Sequence, residues 1–222
     1  MSPTCVVARR CASAPVEADW NQDLWQGVEP LALDDWLGSA PPAHRPRTQV
    51  KIVYDDASIR WIFRVEDRYV RAAATRHQQA VCKDSCVEFF FVPGPEAERG
   101  YFNAEINAAG IMLFHYQPRP KQEVVCLSAA DLHAVAVAAS LSGPIDPERP
   151  APQVWTAECR VPLSLLERYA SVARPDSGMV WLGNFYKCAD ATSHPHWLAW
   201  APVEQSAFGF HCPEAFGELV FE

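Results

Sequence analysis

Nowhere in its 222 residues does the chain carry a run of about 18 apolar residues, so no segment reads as a membrane-spanning helix. The N-terminus is equally short of a leader. Only Cys5-Val6-Val7-Ala8 precede Arg9-Arg10, where a secretory signal needs an apolar core of about 7–15 residues. The expected location is the cytoplasm, or an extracellular or periplasmic one if a leader has been removed. Positive charge is scarce, with 19 Lys and Arg against 27 Asp and Glu and a net charge of −8. That balance argues against nucleic acid, whose phosphates call for a cationic surface. The eight cysteines include no CxxC pair, so reduced thiols are expected rather than a disulfide framework. There is no GxSxG, and seven scattered histidines fit no Ser/His/Asp order. Charged residues reach only 21% against 49% hydrophobic, which excludes a disordered chain.

What the chain does have is proline and aromatic rings: 19 Pro, 8 Trp, 11 Phe and 6 Tyr beside only 10 Gly and 3 Met. Strand-like runs bounded by turn residues recur along it. Thr48 to Tyr54 alternates, Asp55-Asp56-Ala57-Ser58 turns, and Ile59 to Val65 follows, which predicts a hairpin. Ser85 to Val92 (SCVEFFFV) stops at Pro93-Gly94-Pro95, while Tyr101 to Asn107 and Ile111 to Tyr116 flank Ala108-Ala109-Gly110 as a second hairpin. Val135 to Val137, Val154 to Val161, Val180 to Cys188 and Glu218 to Glu222 are further strands, and Gly143 to Pro152 is a proline-rich loop. Only Leu163 to Tyr169, behind Pro162, reads as helical. About ten short strands and one short helix predict an all-β fold, an antiparallel two-sheet β-sandwich of jelly-roll type. The chain reads as one domain over residues 1–222, with 1–19 either an edge strand (Cys5 to Arg9) or a loose terminus.

The period of two sorts each strand into faces. Cys86, Glu88 and Phe90 point one way, and Val87, Phe89 and Phe91 the other. Asn103, Glu105 and Asn107 share a face opposite Phe102, Ala104 and Ile106, and Lys187 shares one with Phe185. If Glu88, Glu105 and Lys187 lie on neighbouring strands, they form a polar patch across one sheet. Such a patch is either a solvated, salt-bridged face or a recognition surface, since a buried carboxylate needs a partner. A recognition surface would suit hydroxyls, with carboxylates accepting and Lys donating. Alternation alone leaves both readings open.

Taken in order, YDDASIRWIFRVED, CKDSCVEFFFVP, YFNAEINAAG, WTAECRVPLSLL, GNFYKCAD and FHCPEAFGELVF resemble the family 9 carbohydrate-binding modules and their stand-alone "family 9-like" relatives, with a DOMON-like sandwich fold. The likeness runs from about Asp19 to Glu222. It implies a β-sandwich that binds the reducing end of a glycan between two tryptophans, over polar side chains from adjacent strands. Position by position, the first tryptophan falls near Cys82 and the second near Phe210, and the strand polar residues fall on Glu88, Glu105 and Lys187. Trp197, Trp200 and Phe210 are available to rebuild an aromatic wall. The family's calcium sites transfer to no residues here, and Asp55-Asp56 reads as a turn.

The expected function is carbohydrate recognition without turnover. Glu88 and Glu105 would accept, Asn103 and Lys187 would donate, and Trp200 or Phe210 would stack. No cofactor, metal, nucleic acid or membrane is expected. One alternative is a glycoside hydrolase with Glu88 and Glu105 as its carboxyl pair. Another is a metal or haem protein using His194, His196, His211, Cys188, Cys212, Met112 or Met179, or else a protein-interaction sandwich. Cys82 and Cys86 on one extended segment would stand about 13 Å apart, too far to share an ion without a bend.

Overall fold

The computed structural model describes residues 2–10, 14–203 and 209–222; Cys11 lies outside them. The alternating runs form strands where expected, and local chemistry makes the turns. Asp55 Oδ1 accepts from the Ala57 and Ser58 backbone N–H groups at 2.9 and 2.7 Å and from the Ser58 hydroxyl at 3.0 Å. This Asx turn uses the carboxylate locally. It lets Arg47–Tyr54 pair with Ser58–Asp67 from Arg47↔Glu66 to Tyr54↔Ile59.

The fold is mostly β, built on one curled sheet of fourteen strands and a separate pair. Its path runs Glu123–Cys126, Met112–Arg119, Tyr101–Asn107, Cys86–Val92, Val180–Cys188 and Gly217–Phe221. It continues through Thr4–Arg9, Arg47–Tyr54, Ser58–Asp67 and Gln153–Pro162 to Ala136–Ala139. Thr4–Arg9 is therefore an ordered strand rather than a loose terminus, and it borders each half of the sheet in turn, every residue pairing on one side only. Its first residues pair with Gly217–Phe221 and its last with Arg47–Tyr54, both in parallel, so the sheet is not wholly antiparallel. Gly143 to Pro152 is also more ordered than a loop, because Ile145–Arg149 pairs with Val70–Ala72 through an irregular register around Pro147. The helix behind Pro162 spans Leu163–Leu166, and a second, Ala129–Leu132, carries a capping box between Ser128 and Asp131.

The curled sheet brings its two halves face to face, and aromatic rings fill the space between them. Trp61 meets Phe89 at 5.0 Å and Phe63 meets Phe185 at 6.0 Å, centroid to centroid, while Phe89 stacks on Phe185 at 4.5 Å. Outside one half, Leu24, Trp25 and Val28 cover Val53 and Ile62. The segment leading there is held by a buried Arg60–Glu158 pair. Arg60 donates to the carbonyls of Ala14 and Pro15 at 2.7 and 2.8 Å, and Glu158 accepts the Ala18 N–H at 2.7 Å. Outside the other half, a second apolar cluster forms around Phe90, Tyr186, Cys188 and Phe210. The candidate site opens there.

Candidate functional site

Three adjacent strands build the site. Cys86–Val92 lies between Tyr101–Asn107 and Val180–Cys188, with Glu88 opposite Glu105 on one side and Tyr186 on the other. Directly opposed residues point to the same side of a sheet. Glu88 and Glu105 therefore stand together on the outer face, with Cys86 and Cys188 paired one step along it. Above them is a pocket of about 180 Å³. Glu88, Glu105, Cys82 and Cys188 line its base. Phe90 adjoins Glu88 on the same strand face, Phe210, His211, Leu37 and Trp197 wall the pocket, and Lys121, Asp190 and Gly209 complete the lining.

Electrostatics here follow from burial. Burial pushes the Glu88 carboxyl well above the usual carboxylate range, and the adjacent Glu105 adds to the effect. Burial likewise lifts Glu105 to about 7, against the pull of its Asn103 hydrogen bond and with help from Asp190. Near neutrality the pair keeps at least one proton, so the base can donate as well as accept. Burial and then Lys121 hold His211 down at about 3, a neutral ring. Its Nδ1 faces the Tyr101 hydroxyl at 2.7 Å and the Gln117 amide at 3.2 Å, which assigns the ring proton to Nε2. Burial raises Cys86 to about 12, and the Cys188 thiol donates to Glu88 Oε1 at 3.0 Å.

Of the six expected site residues, Glu88, Glu105 and Phe210 line the pocket. Asn103 sits behind it, donating to Glu105 Oε1 at 2.9 Å and accepting from Gln117 Nε2 at 2.8 Å. It orients a base residue rather than facing a ligand.

Lys187 is a correction. It pairs with Val87, so it points into the space between the sheet's two halves and not toward Glu88. There, fully buried, its Nζ lies 2.7 Å from His196 Nε2, 2.9 Å from the Cys188 carbonyl and 3.5 Å from Asp67 Oδ2. Burial works upward on Asp67, but Lys187 and the His44 hydrogen bond outweigh it and bring the carboxyl to about 2. Burial and the same lysine hold His196 at about 3.

Trp200 is the second correction. Its ring packs 5.8 Å from Phe185 on the inner side and over Gly217, where a Cβ would come within 2.6 Å of Trp200 Cζ3. Glycine in the FG-x-L ending is thus a seat for that ring. Trp197 supplies the aromatic wall instead. It pairs with Cys188, shares that residue's outward face, stays 37% exposed, and donates from Nε1 to Asp190 Oδ1 at 2.8 Å.

No sequence pattern marks His211, Lys121, Asp190 or Leu37 as facing a sugar, and Cys82 enters only as the clamp position that the resemblance implies. A signal existed for Trp197: three residues apart in WLAW, Trp197 and Trp200 cannot share a strand face. The others come from turns and late loops, where no period applies. The base carboxyls stand side by side on one sheet surface, not across a cleft from each other as glycoside hydrolysis requires.

Comparison with known proteins places this geometry. The family model described as carbohydrate-binding family 9 matches residues 25–221. A provisionally named carbohydrate-binding protein of known structure from Bacteroides uniformis ATCC 8492 is 30% identical, with a TM-score of 0.87 and all of both chains covered. A family 9 module from Caldicellulosiruptor kristjanssonii, solved with glucose, is 14% identical with a TM-score of 0.66 over 99% of this chain and 96% of that one. With cellotriose bound, a module from the same organism gives 14% identity and a TM-score of 0.62 over 99% and 94%. These last two speak to the fold alone. No curated protein matches the sequence.

Proposed function

The chain belongs to carbohydrate-binding family 9, and from that premise we propose that its outer-face pocket holds one sugar ring at the end of a glycan and releases it unchanged. The observation that carries this reading is the Glu88–Glu105 pair, in register at the base of a pocket walled by Trp197 and Phe210. A sugar ring has apolar C–H faces and a hydroxyl edge, so it suits aromatic walls over a base that donates and accepts. About 180 Å³ falls below the roughly 300–1,000 Å³ of drug-sized sites, which favours a single terminal ring over a chain laid along a groove. The glucose and cellotriose held by the Caldicellulosiruptor modules support a hexose end as the ligand class.

Within the same reading, the two halves of the curled sheet are the leaves of a jelly-roll sandwich, and the chain is one binding domain. Recognition rather than hydrolysis is supported by the side-by-side placement of the carboxyls. The test is a titration with glucose, xylose and their β-1,4 oligomers, followed by tryptophan fluorescence. Saturable quenching, with no reducing sugar released on prolonged incubation, is the expected result. A flat response to every sugar overturns the proposal.

A further inference from the structure

Cys86 and Cys188 lie directly across from each other on adjacent strands, and Glu88 is the next residue of the Cys86–Val92 strand on the same face. One sulfur from each cysteine and a carboxylate oxygen of Glu88 all fall within 4.8 Å of one another, and every one of the three residues is buried. The Cys188 Sγ to Glu88 Oε1 separation is 3.0 Å. A tetrahedral zinc ion with bonds of about 2.0–2.3 Å sets its ligands roughly 3.5–3.8 Å apart, so small side-chain adjustments suffice. Access exists, because Glu88 and Cys188 both line the pocket.

From this arrangement we propose that Cys86, Glu88 and Cys188 form a binding site for a thiophilic divalent cation, Zn²⁺ above all, at the base of the pocket. Two thiolates and a single carboxylate select zinc over calcium, which takes six to eight oxygen ligands. Charge points the same way. Glu88, Glu105 and Asp190 converge on this pocket, Lys187 is turned to the opposite face, and Lys121 is the pocket's one lysine or arginine among the described lining residues. An ion would displace its ligands' protons and balance the charge that their release uncovers. Three protein ligands leave the fourth position toward the pocket, where Cys82 also lies. The shared residue is Glu88, but the proposal rests on the thiol pair and stands whether or not a sugar binds.

The test uses the full chain, reduced and stripped of metal, in the absence of sugar. Titration with Cd²⁺ should raise the ultraviolet thiolate-to-metal charge-transfer band to a plateau at one equivalent. Competition against a chromophoric chelator should give the same stoichiometry for Zn²⁺. Cys86→Ser and Cys188→Ser should each weaken zinc at least about 100-fold, beyond what loss of an outer partner produces. Exposed Cys126→Ser should leave it unchanged. No band in the wild type, or wild-type affinity in both cysteine variants, overturns the site. So does a Cys86–Cys188 disulfide that persists after reduction. Should a serine variant fail to fold, alkylating the thiols of the wild type must abolish the band. A band without sugar quenching sinks only the glycan reading, and quenching without a band sinks only the metal site.

Discussion

Glu88 faces Glu105 across two antiparallel strands at the base of the pocket, both buried and neither with a cationic hydrogen-bond partner among the described residues. Burial raises both groups and a neighbouring carboxyl adds to each, so near neutrality the pair holds on to a proton, and keeping two such carboxyls out of water costs stability.

Replacing Glu105 by Gln keeps an oxygen for Asn103 and removes one of the two buried ionisable carboxyls. The variant should unfold at equal or higher urea concentration than wild type. Its glucose affinity should fall about tenfold, some 1.4 kcal/mol. Glu105→Ala leaves the Asn103 amide without its acceptor and should lose about 1–3 kcal/mol of stability as well. Equilibrium unfolding beside sugar titration separates the two variants.

The two late tryptophans should divide their effects. Trp197→Ala removes a partly exposed ring from the pocket wall, so sugar quenching should drop sharply while the urea midpoint barely moves. Trp200→Ala empties the space above Gly217 and beside Phe185, costing on the order of 3 kcal/mol with little direct effect on affinity. Equal effects on binding would refute the wall assignment.

Lys187→Met removes the buried cation beside Asp67 and His196. The stranded Asp67 carboxylate should cost about 3–5 kcal/mol, and Asp67→Asn in the same chain should restore part of it. Folded Lys187→Met should still bind sugar, because the lysine lies on the face away from the pocket. A binding loss without a stability loss would contradict that placement.

Acid should weaken the fold through the same cluster. His196 titrates near 3 when folded against an ordinary 6.5, so as pH falls below about 6.5 the unfolded chain binds a proton the native one refuses. Stability then drops by about 1.4 kcal/mol per pH unit for that residue until pH nears 3. Asp67, held at about 2, contributes stability present above its ordinary value of 3.8 and lost as pH falls toward 2. Glu105 acts in the opposite direction between 4.5 and about 7, so the check is a difference. Urea unfolding from pH 7 to 4 should give a shallower acid slope in His196→Gln than in wild type, by close to one proton.

Much of this protein could be read locally. A period of two is a property of single strands, and so SCVEFFFV and YFNAEIN declared which of their residues would share a face before any partner was known. Asp55 announced its turn because the carboxylate bonds its own backbone two and three residues on. Lys187 shows where that legibility ends. Alternation paired it correctly with Phe185, itself a mark of the apolar face, yet the side on which Glu88 falls depends on how two separate strands align.

The sequence by itself therefore determined the strands, their two faces and the acidic residues set among apolar ones. Only the tertiary structure decided that Glu88 meets Glu105, that Cys86 meets Cys188, that Trp197 and not Trp200 walls the pocket, and that Thr4–Arg9 joins the sheet's two halves. The physical reason is distance along the chain. Facing is dictated by bond geometry between neighbours, whereas register between strands 100 residues apart, such as the one pairing Glu88 with Tyr186 and Cys86 with Cys188, is settled by the packing of the whole core.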